Sequence, residues 1–314
     1  LYFLLLTSTI SLSAQDDDWI QQSPPNTNTL CDVEILSLDV IVAVGENGTI
    51  MKSLDGGQTW QKKKSTIYNN LYCVDFINSS TGFAVGTGGT ILKTTDSGET
   101  WISQTSPTGI PLYSVCFVNP EIGWASGYNR TVLKTTDGGI TWINQYSTSA
   151  LTFLEELTAI NQQKVMIAGW GSEGDFYKTA DGGLNWTGAD LQGWCKGVDF
   201  INESTGWMAG ITASYISVTE SWGDIYKTIL GKKATIWKTT NGGETWTPFI
   251  FEFEKWLNDI TFIDSNSGFA VGEKGLIIYT TDGGLNWFSK NDPKYSTISF
   301  NTISFESPTT GYVV

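Results

Sequence analysis

Carboxylates are the side chains through which this chain could do acid–base chemistry. Those set in short apolar runs are Asp75, Glu155, Glu156, Asp199 and Asp259, with Glu173 in a link nearby. Two such groups on either side of a glycosidic bond can serve as acid and as base or nucleophile, so a glycoside hydrolase is chemically open. Histidine is absent and Arg130 is the only arginine, which removes His-based triads, His-ligated metals and multi-guanidinium anion clamps. Asp75, Asp199 and Asp259 recur in corresponding runs, which points to a structural or channel-lining role; Glu155-Glu156 breaks that register and reads as channel lining before a catalytic pair. The four cysteines, Cys31, Cys73, Cys116 and Cys195, have no CxxC spacing. They read as free core thiols, with a disulfide between neighbouring repeats left open, and neither metal nor cofactor is expected.

The elements that must position these groups follow from one eight-residue phrase. It reads TTDSGETW from Thr94 and returns as SLDGGQTW from Ser53, TTDGGITW from Thr135, TADGGLNW from Thr179, TTNGGETW from Thr239 and TTDGGLNW from Thr280. Its third residues are Asp55, Asp96, Asp137, Asp181, Asn241 and Asp282, and its last are Trp60, Trp101, Trp142, Trp186, Trp246 and Trp287. A short acidic side chain can accept amide hydrogen bonds two or three residues on and pin a turn, and the following glycines, such as Gly138 and Gly139, allow positive φ. The indole then packs as an apolar wedge between neighbouring units. Asn241 keeps the acceptor and loses the charge, which marks the position as structural and not catalytic.

Around each phrase the chain alternates in short runs. In residues 71–104, LYCVDFIN, FAVG, TILKTT and TWISQ read as four strands separated by SSTG, TGG and DSGE turns. A period near 40 with such content predicts a β-propeller of four-stranded antiparallel blades. Seven first strands begin (CDVEIL, LYCVDF, LYSVCF, LEELTAI, CKGVDF, LNDITF and FNTISF), so the expectation is a seven-bladed ring whose last blade is truncated at Val314. Trp19-Ile20-Gln21-Gln22 reads as an orphan outer strand that pairs with that last blade. The metre breaks once, at an insertion over 211–233 whose alternating Tyr215, Ile216 and Val218, then Ile225 and Tyr226, suggest an extended hairpin. Residues 1–15 read as the tail of a secretory signal and 16–314 as one propeller domain, so the expected location is extracytoplasmic. No stretch is long and apolar enough to be read as a transmembrane helix.

The phrase is the Asp-box, or bacterial neuraminidase repeat. The whole unit, with GFAVG, then GTILKTTDSG and TW, resembles the photosystem II stability/assembly factor propellers and their bacterial relatives over residues 19–314. That resemblance implies boxes on the propeller periphery and a non-enzymatic scaffold that holds partner proteins on one face. A sialidase is excluded by the single arginine. The photosynthetic members carry an arginine-rich patch that this chain lacks, so their partner is not carried over.

With a formal net charge of −14, a nucleic-acid groove or an anionic membrane patch is excluded as the binding surface. The expected function is an exported, monomeric, non-catalytic scaffold that binds a protein partner or an extracellular glycan, with a glycoside hydrolase as the alternative. Links between second and third strands share a face with the links between blades. That face collects Tyr128, Arg130, Trp170, Glu173, Tyr215, Trp222 and Tyr226, the candidate binding residues. Lys62-Lys63-Lys64 read as a solvated turn, and Phe249, Phe251 and Phe253 as the buried side of a strand.

Overall fold

The unit beginning at Leu71 shows how the repeat folds. Its inner strand Leu71–Phe76 buries Leu71 and Val74, the second strand Gly82–Gly86 is buried throughout, the third is Thr90–Thr94, and the outer strand Ile102–Ser103 is exposed. All pairings are antiparallel. The second strand must open with glycine, because a Cβ on Gly82 would lie 2.7 Å from the ring of Phe76, and the same aromatic–glycine pair recurs as Phe117 with Gly123 and Phe262 with Gly268. The inner strand carries one irregularity near its start, between Leu71 and Cys73, which recurs in every repeat blade.

The computed structural model describes residues 3–7, 19–22, 28–146, 151–171, 176–219, 225–290, 293–307 and 310–314, with backbone alone at 3–7, 19–21, 213–219, 225–230 and 306–307. Six blades are each drawn from one continuous stretch of chain. Their inner strands are Leu30–Ile35, Leu71–Phe76, Leu112–Phe117, Thr152–Ala159, Gly193–Phe200 and Leu257–Phe262. The expected seven-bladed ring with a truncated last blade is corrected here: the repeat builds six blades and not seven. The last unit supplies only Ile303–Ser307 and Thr310–Val313, and these join strands from the N-terminal side in a composite four-stranded closing sheet. Its order is Trp19–Gln22, Phe3–Thr7, Thr310–Val313, Ile303–Ser307. The Trp19 strand therefore lies in this sheet, but against Phe3–Thr7, a stretch read from sequence as part of an export signal. Pairing on both sides leaves Thr310–Val313 without a bare edge.

The interval that breaks the repeat is a hairpin. Strands Gly206–Thr219 and Ile225–Thr239 stay paired from Gly206 opposite Thr239 out to Thr219 opposite Ile225, with one shift between Ser214 and Tyr215. The middle of the fifth blade thus continues out of the blade as a two-stranded arm.

The core is divided among the joints between sheets. Trp101 packs with Val42, Val44 and Ile50 of the first blade and with Leu71, Val74, Ala84 and Leu92 of its own. Trp60 and Trp142 fill the equivalent joints, while Trp186, Trp246 and Trp287 pack half-buried against theirs. Replacing Trp101, 4% exposed, by alanine should cost about 3 to 5 kcal/mol in urea unfolding, and Trp287→Ala distinctly less. Equal costs would show that the indoles do not act through burial in the joints.

Candidate functional site

The eight-residue phrases, the boxes of the repeat, sit at the outer turns and act as staples. Asp96 accepts Thr100 N–H at 2.9 Å on Oδ1 and the Thr100 hydroxyl at 2.6 Å on Oδ2, while Thr94 Oγ1 donates to Oδ1 and accepts Gly98 N–H. The amide reached is four residues on, one residue beyond the two or three read from sequence. These bonds, led by that from the Thr100 hydroxyl, hold Asp96 down at about 2. In TTNGGETW, Asn241 Nδ2 donates to Thr245 Oγ1 at 2.8 Å and Oδ1 still accepts Thr245 N–H, so an amide replaces the carboxylate without loss of the staple. The lysine immediately before five of the six boxes was missed from sequence. Lys93, Lys134 and Lys238 donate to Gly138, Gly182 and Gly283 carbonyls in the box of the next blade at 2.6 to 2.7 Å, and Lys52 and Lys178 pair with Glu99 and Glu244 there.

At the axis, the inner strands present an edge whose N–H groups have no strand beside them. Side chains of the preceding blade answer them. Asp32 Oδ2 accepts Val74 N–H, Ser114 Oγ accepts Leu157 N–H, Glu156 Oε2 accepts Val198 N–H and Asp259 Oδ2 accepts Ile303 N–H, at 2.8 to 3.2 Å. Cys73 Sγ takes the same place toward Val115 N–H at 3.4 Å. Two residues further on, Asp75 and Asp199 accept Phe117 and Phe262 N–H at 2.8 and 2.7 Å. The structure therefore separates Asp259 from Asp75 and Asp199, which the sequence reading had placed at matching positions, and it puts Glu156 in register with Asp32 and Asp259. The inner-strand irregularity restores that register. Only the fifth blade lacks the first acceptor: Gly197 stands there, and a Cβ would meet Asp259 Cα at 2.8 Å.

Cys31, Cys73 and Cys116 also line this channel, so only Cys195 is the fully buried core thiol expected. None of the four is in a disulfide, and burial pushes Cys31 up to about 12, far from a reactive thiolate. No grouping among the described residues could hold a metal ion, and no described helix could cross a membrane.

The channel opens into a cavity of about 360 Å³ on the face where inner strands begin. Around it runs an arc of aromatic rings. Tyr72 and Tyr113 lie 5.3 Å apart, Tyr113 and Phe153 6.1 Å, Phe153 and Trp170 are stacked at 4.0 Å, Trp170 and Trp194 lie 6.1 Å apart, and Trp194 and Trp256 are stacked at 5.4 Å. Tyr128 joins at 4.7 Å from Phe153, and Trp170 Nε1 donates to Glu155 Oε1 at 2.7 Å. Of the residues proposed from sequence, Tyr128 and Trp170 belong to this arc. Arg130 does not: it is buried, with its guanidinium over the Tyr177 ring and bonded to its hydroxyl, which corrects its placement on the binding face. Glu173 and Trp222 lie outside the described residues, and Tyr215 and Tyr226 are described by backbone alone. Lys63 pairs with Glu99, Phe251 is core, and Phe249 is 36% exposed. The arc's other members were missed, although a signal exists. An aromatic residue flanks the first apolar residue of the inner strand in five successive units: Leu71-Tyr72, Leu112-Tyr113, Phe153-Leu154, Trp194-Cys195 and Trp256-Leu257.

Crowding carboxyls at the axis has a consequence for stability. Burial, reinforced by Asp32, raises Asp75 to about 7; burial raises Asp259 to about 7, and Glu34, Glu156 and Asp199 move the same way. Groups raised on folding favour the folded state below their unfolded values near 4, and that contribution is lost as pH rises through 7. The box aspartates have the opposite sign and withdraw support only as pH falls toward 2. The thermal midpoint should therefore peak near pH 4 and fall by several degrees toward pH 8, with a flatter fall in Asp75→Asn. A midpoint that rises from pH 5 to 8 would contradict this account.

Comparison with known proteins adds a lineage to this geometry. The family model for Photosynthesis system II assembly factor YCF48 matches residues 6–95 and 242–314. Among solved structures, YCF48 bound to D1 peptide superposes with a TM-score of 0.69 at 19% identity, covering 92% of this chain and 94% of that one. YCF48 from Cyanidioschyzon merolae gives 0.70 at 18% identity, covering 94% and 95%. A GH74 xyloglucanase from Xanthomonas campestris gives 0.67 at 10% identity, over 89% of this chain and 49% of that enzyme. At these identities the likeness is one of fold. No curated protein matches the sequence. On the family match, which spans half of its residues, the chain belongs to the YCF48-type photosystem II assembly factor family of β-propellers.

Proposed function

We propose that this chain is a non-catalytic scaffold that holds a partner polypeptide across the aromatic mouth of its channel. The observation that carries the reading is the arc itself. Five successive repeat units each contribute at least one half-buried aromatic side chain to a continuous arc that starts at Tyr72 and Tyr113 in the cavity wall, where rigid rings offer large contact area at little entropic cost. The hairpin arm rises from the fifth blade beside it and supplies Lys232 to the same rings. Family membership favours a protein partner over a glycan, as does the likeness to a YCF48 bound to a peptide.

The channel carboxylates support a non-catalytic role. Asp32, Asp75, Glu156, Asp199 and Asp259 are each committed to a neighbouring backbone amide, and Glu155 to an indole. A hydrolase would need two of them released. The reading includes work as a monomer outside the cytoplasm, the latter resting on the signal-like composition of residues 1–15, of which Phe3–Thr7 also pairs in the closing sheet. Photosystem partners are left out of it, since the one arginine is buried.

Selection from a displayed random-peptide library should yield ligands whose affinity falls at least tenfold in Trp170→Ala, and likewise when residues 213–231 are replaced by an Asn-Gly turn. Ile140→Ala, at a peripheral box, should leave them unchanged. Xyloglucan cleavage that disappears in Glu155→Gln would overturn the scaffold reading.

A further inference from the structure

The arc is uneven in charge. On one side the chain's own ammonium groups lie on the rings: Lys196 Nζ is 5.0 Å from the Trp256 centroid, and Lys232 Nζ, from the hairpin arm, is 4.9 Å from Trp194 and 5.6 Å from Trp256. These contacts show that the faces of this arc take alkylammonium groups. On the other side stand Tyr72, Tyr113, Tyr128 and Phe153, and among the described residues no cation of the chain lies against them. A carboxylate does: Glu155 lines the cavity with Tyr72 and Tyr113, its Oε1 held by the Trp170 indole, while Lys196 lines the same cavity from the Trp256 side. A cavity of about 360 Å³ is within the range that ligand-binding pockets occupy. The chain as a whole carries −14, so a positively charged segment is drawn toward it and a negatively charged one repelled.

Resting on the scaffold reading, we infer that the Tyr72–Tyr113–Glu155 side of the cavity receives a lysine or arginine side chain, and that the partner segment is basic. The cationic group lies against the tyrosine rings and pairs with the Glu155 carboxylate, while the stem of its side chain fills the mouth. Lys196 and Lys232 occupy the opposite rings, and so direct the incoming cation to one side.

The test is a titration of the full chain, followed by calorimetry, with hexalysine, hexaglutamate and a neutral Gly-Ser hexapeptide at low and at 0.5 M salt. Hexalysine should bind saturably with one site, and its affinity should fall at least tenfold in Tyr113→Leu and in Glu155→Gln. Tyr113→Phe, which keeps the ring, should stay within twofold, and so should Glu121→Gln, which removes the same charge from a peripheral turn. Equal losses in Glu155→Gln and Glu121→Gln would reduce the attraction to the diffuse field of the protein and overturn the site. Binding of the neutral or acidic peptide in preference to hexalysine, abolished by Trp170→Ala, would reject the basic partner and leave the scaffold reading standing. Saturable binding of none of the three, together with failure of the peptide library, would remove both.

Discussion

An inner strand at a propeller axis has one side without a strand partner, and each N–H left there must find an acceptor or face the cost of burial unbonded. This chain answers with side chains from the neighbouring blade: Asp32 for Val74, Ser114 for Leu157, Glu156 for Val198 and Asp259 for Ile303. The acceptors differ in type, and a thiol serves at Cys73. What they share is position, created by an irregularity near the start of each inner strand. Fixing that register also fixes the residues just before and after the first apolar position, and these form the aromatic mouth. The binding face is thus placed by the same constraint that joins the blades.

The periphery solves a different problem. There each box closes a tight turn with its own hydrogen bonds, and a lysine from the preceding blade bonds across to it. Axis and rim are held by polar contacts, and the volume between them by indoles and aliphatic side chains at the joints. This division places the carboxylates most suggestive of catalysis in structural roles. It also accounts for a protein whose acids at the rim are strongly acidic and whose acids at the axis are weakly so.

Much of this was legible in the sequence because it is local. The box, four strands per unit and the hairpin at 211–233 follow from turn chemistry and alternation within a few residues. What was not legible depends on contacts between units. The alignment of Asp259 with Asp75 failed because a one-residue irregularity in a strand is silent in the amino-acid pattern. Arg130 was placed on the binding face because it lies in a link between second and third strands, and Tyr177, forty-seven residues away in sequence, gives it a stacked and bonded site inside. Trp194 and Trp256 were passed over because each resembles an ordinary strand residue until its neighbours are in place. The count of blades failed for a further reason.

Every joint has a direction. Acceptors at the axis and lysines at the rim reach from one blade to the next in chain order, so each blade presents one kind of surface and receives another. Such head-to-tail contacts extend without limit unless their rotation happens to close. Nothing in one joint records how many precede it. The size of the ring is therefore decided at its seam, where Asn301 Nδ2 donates to the Leu30 carbonyl at 2.7 Å and so repeats the contact that Asn258 Nδ2 makes with the Phe300 carbonyl one unit earlier. A repeat of this kind can gain or lose a unit without altering any of the contacts it already has, provided the seam can still be made.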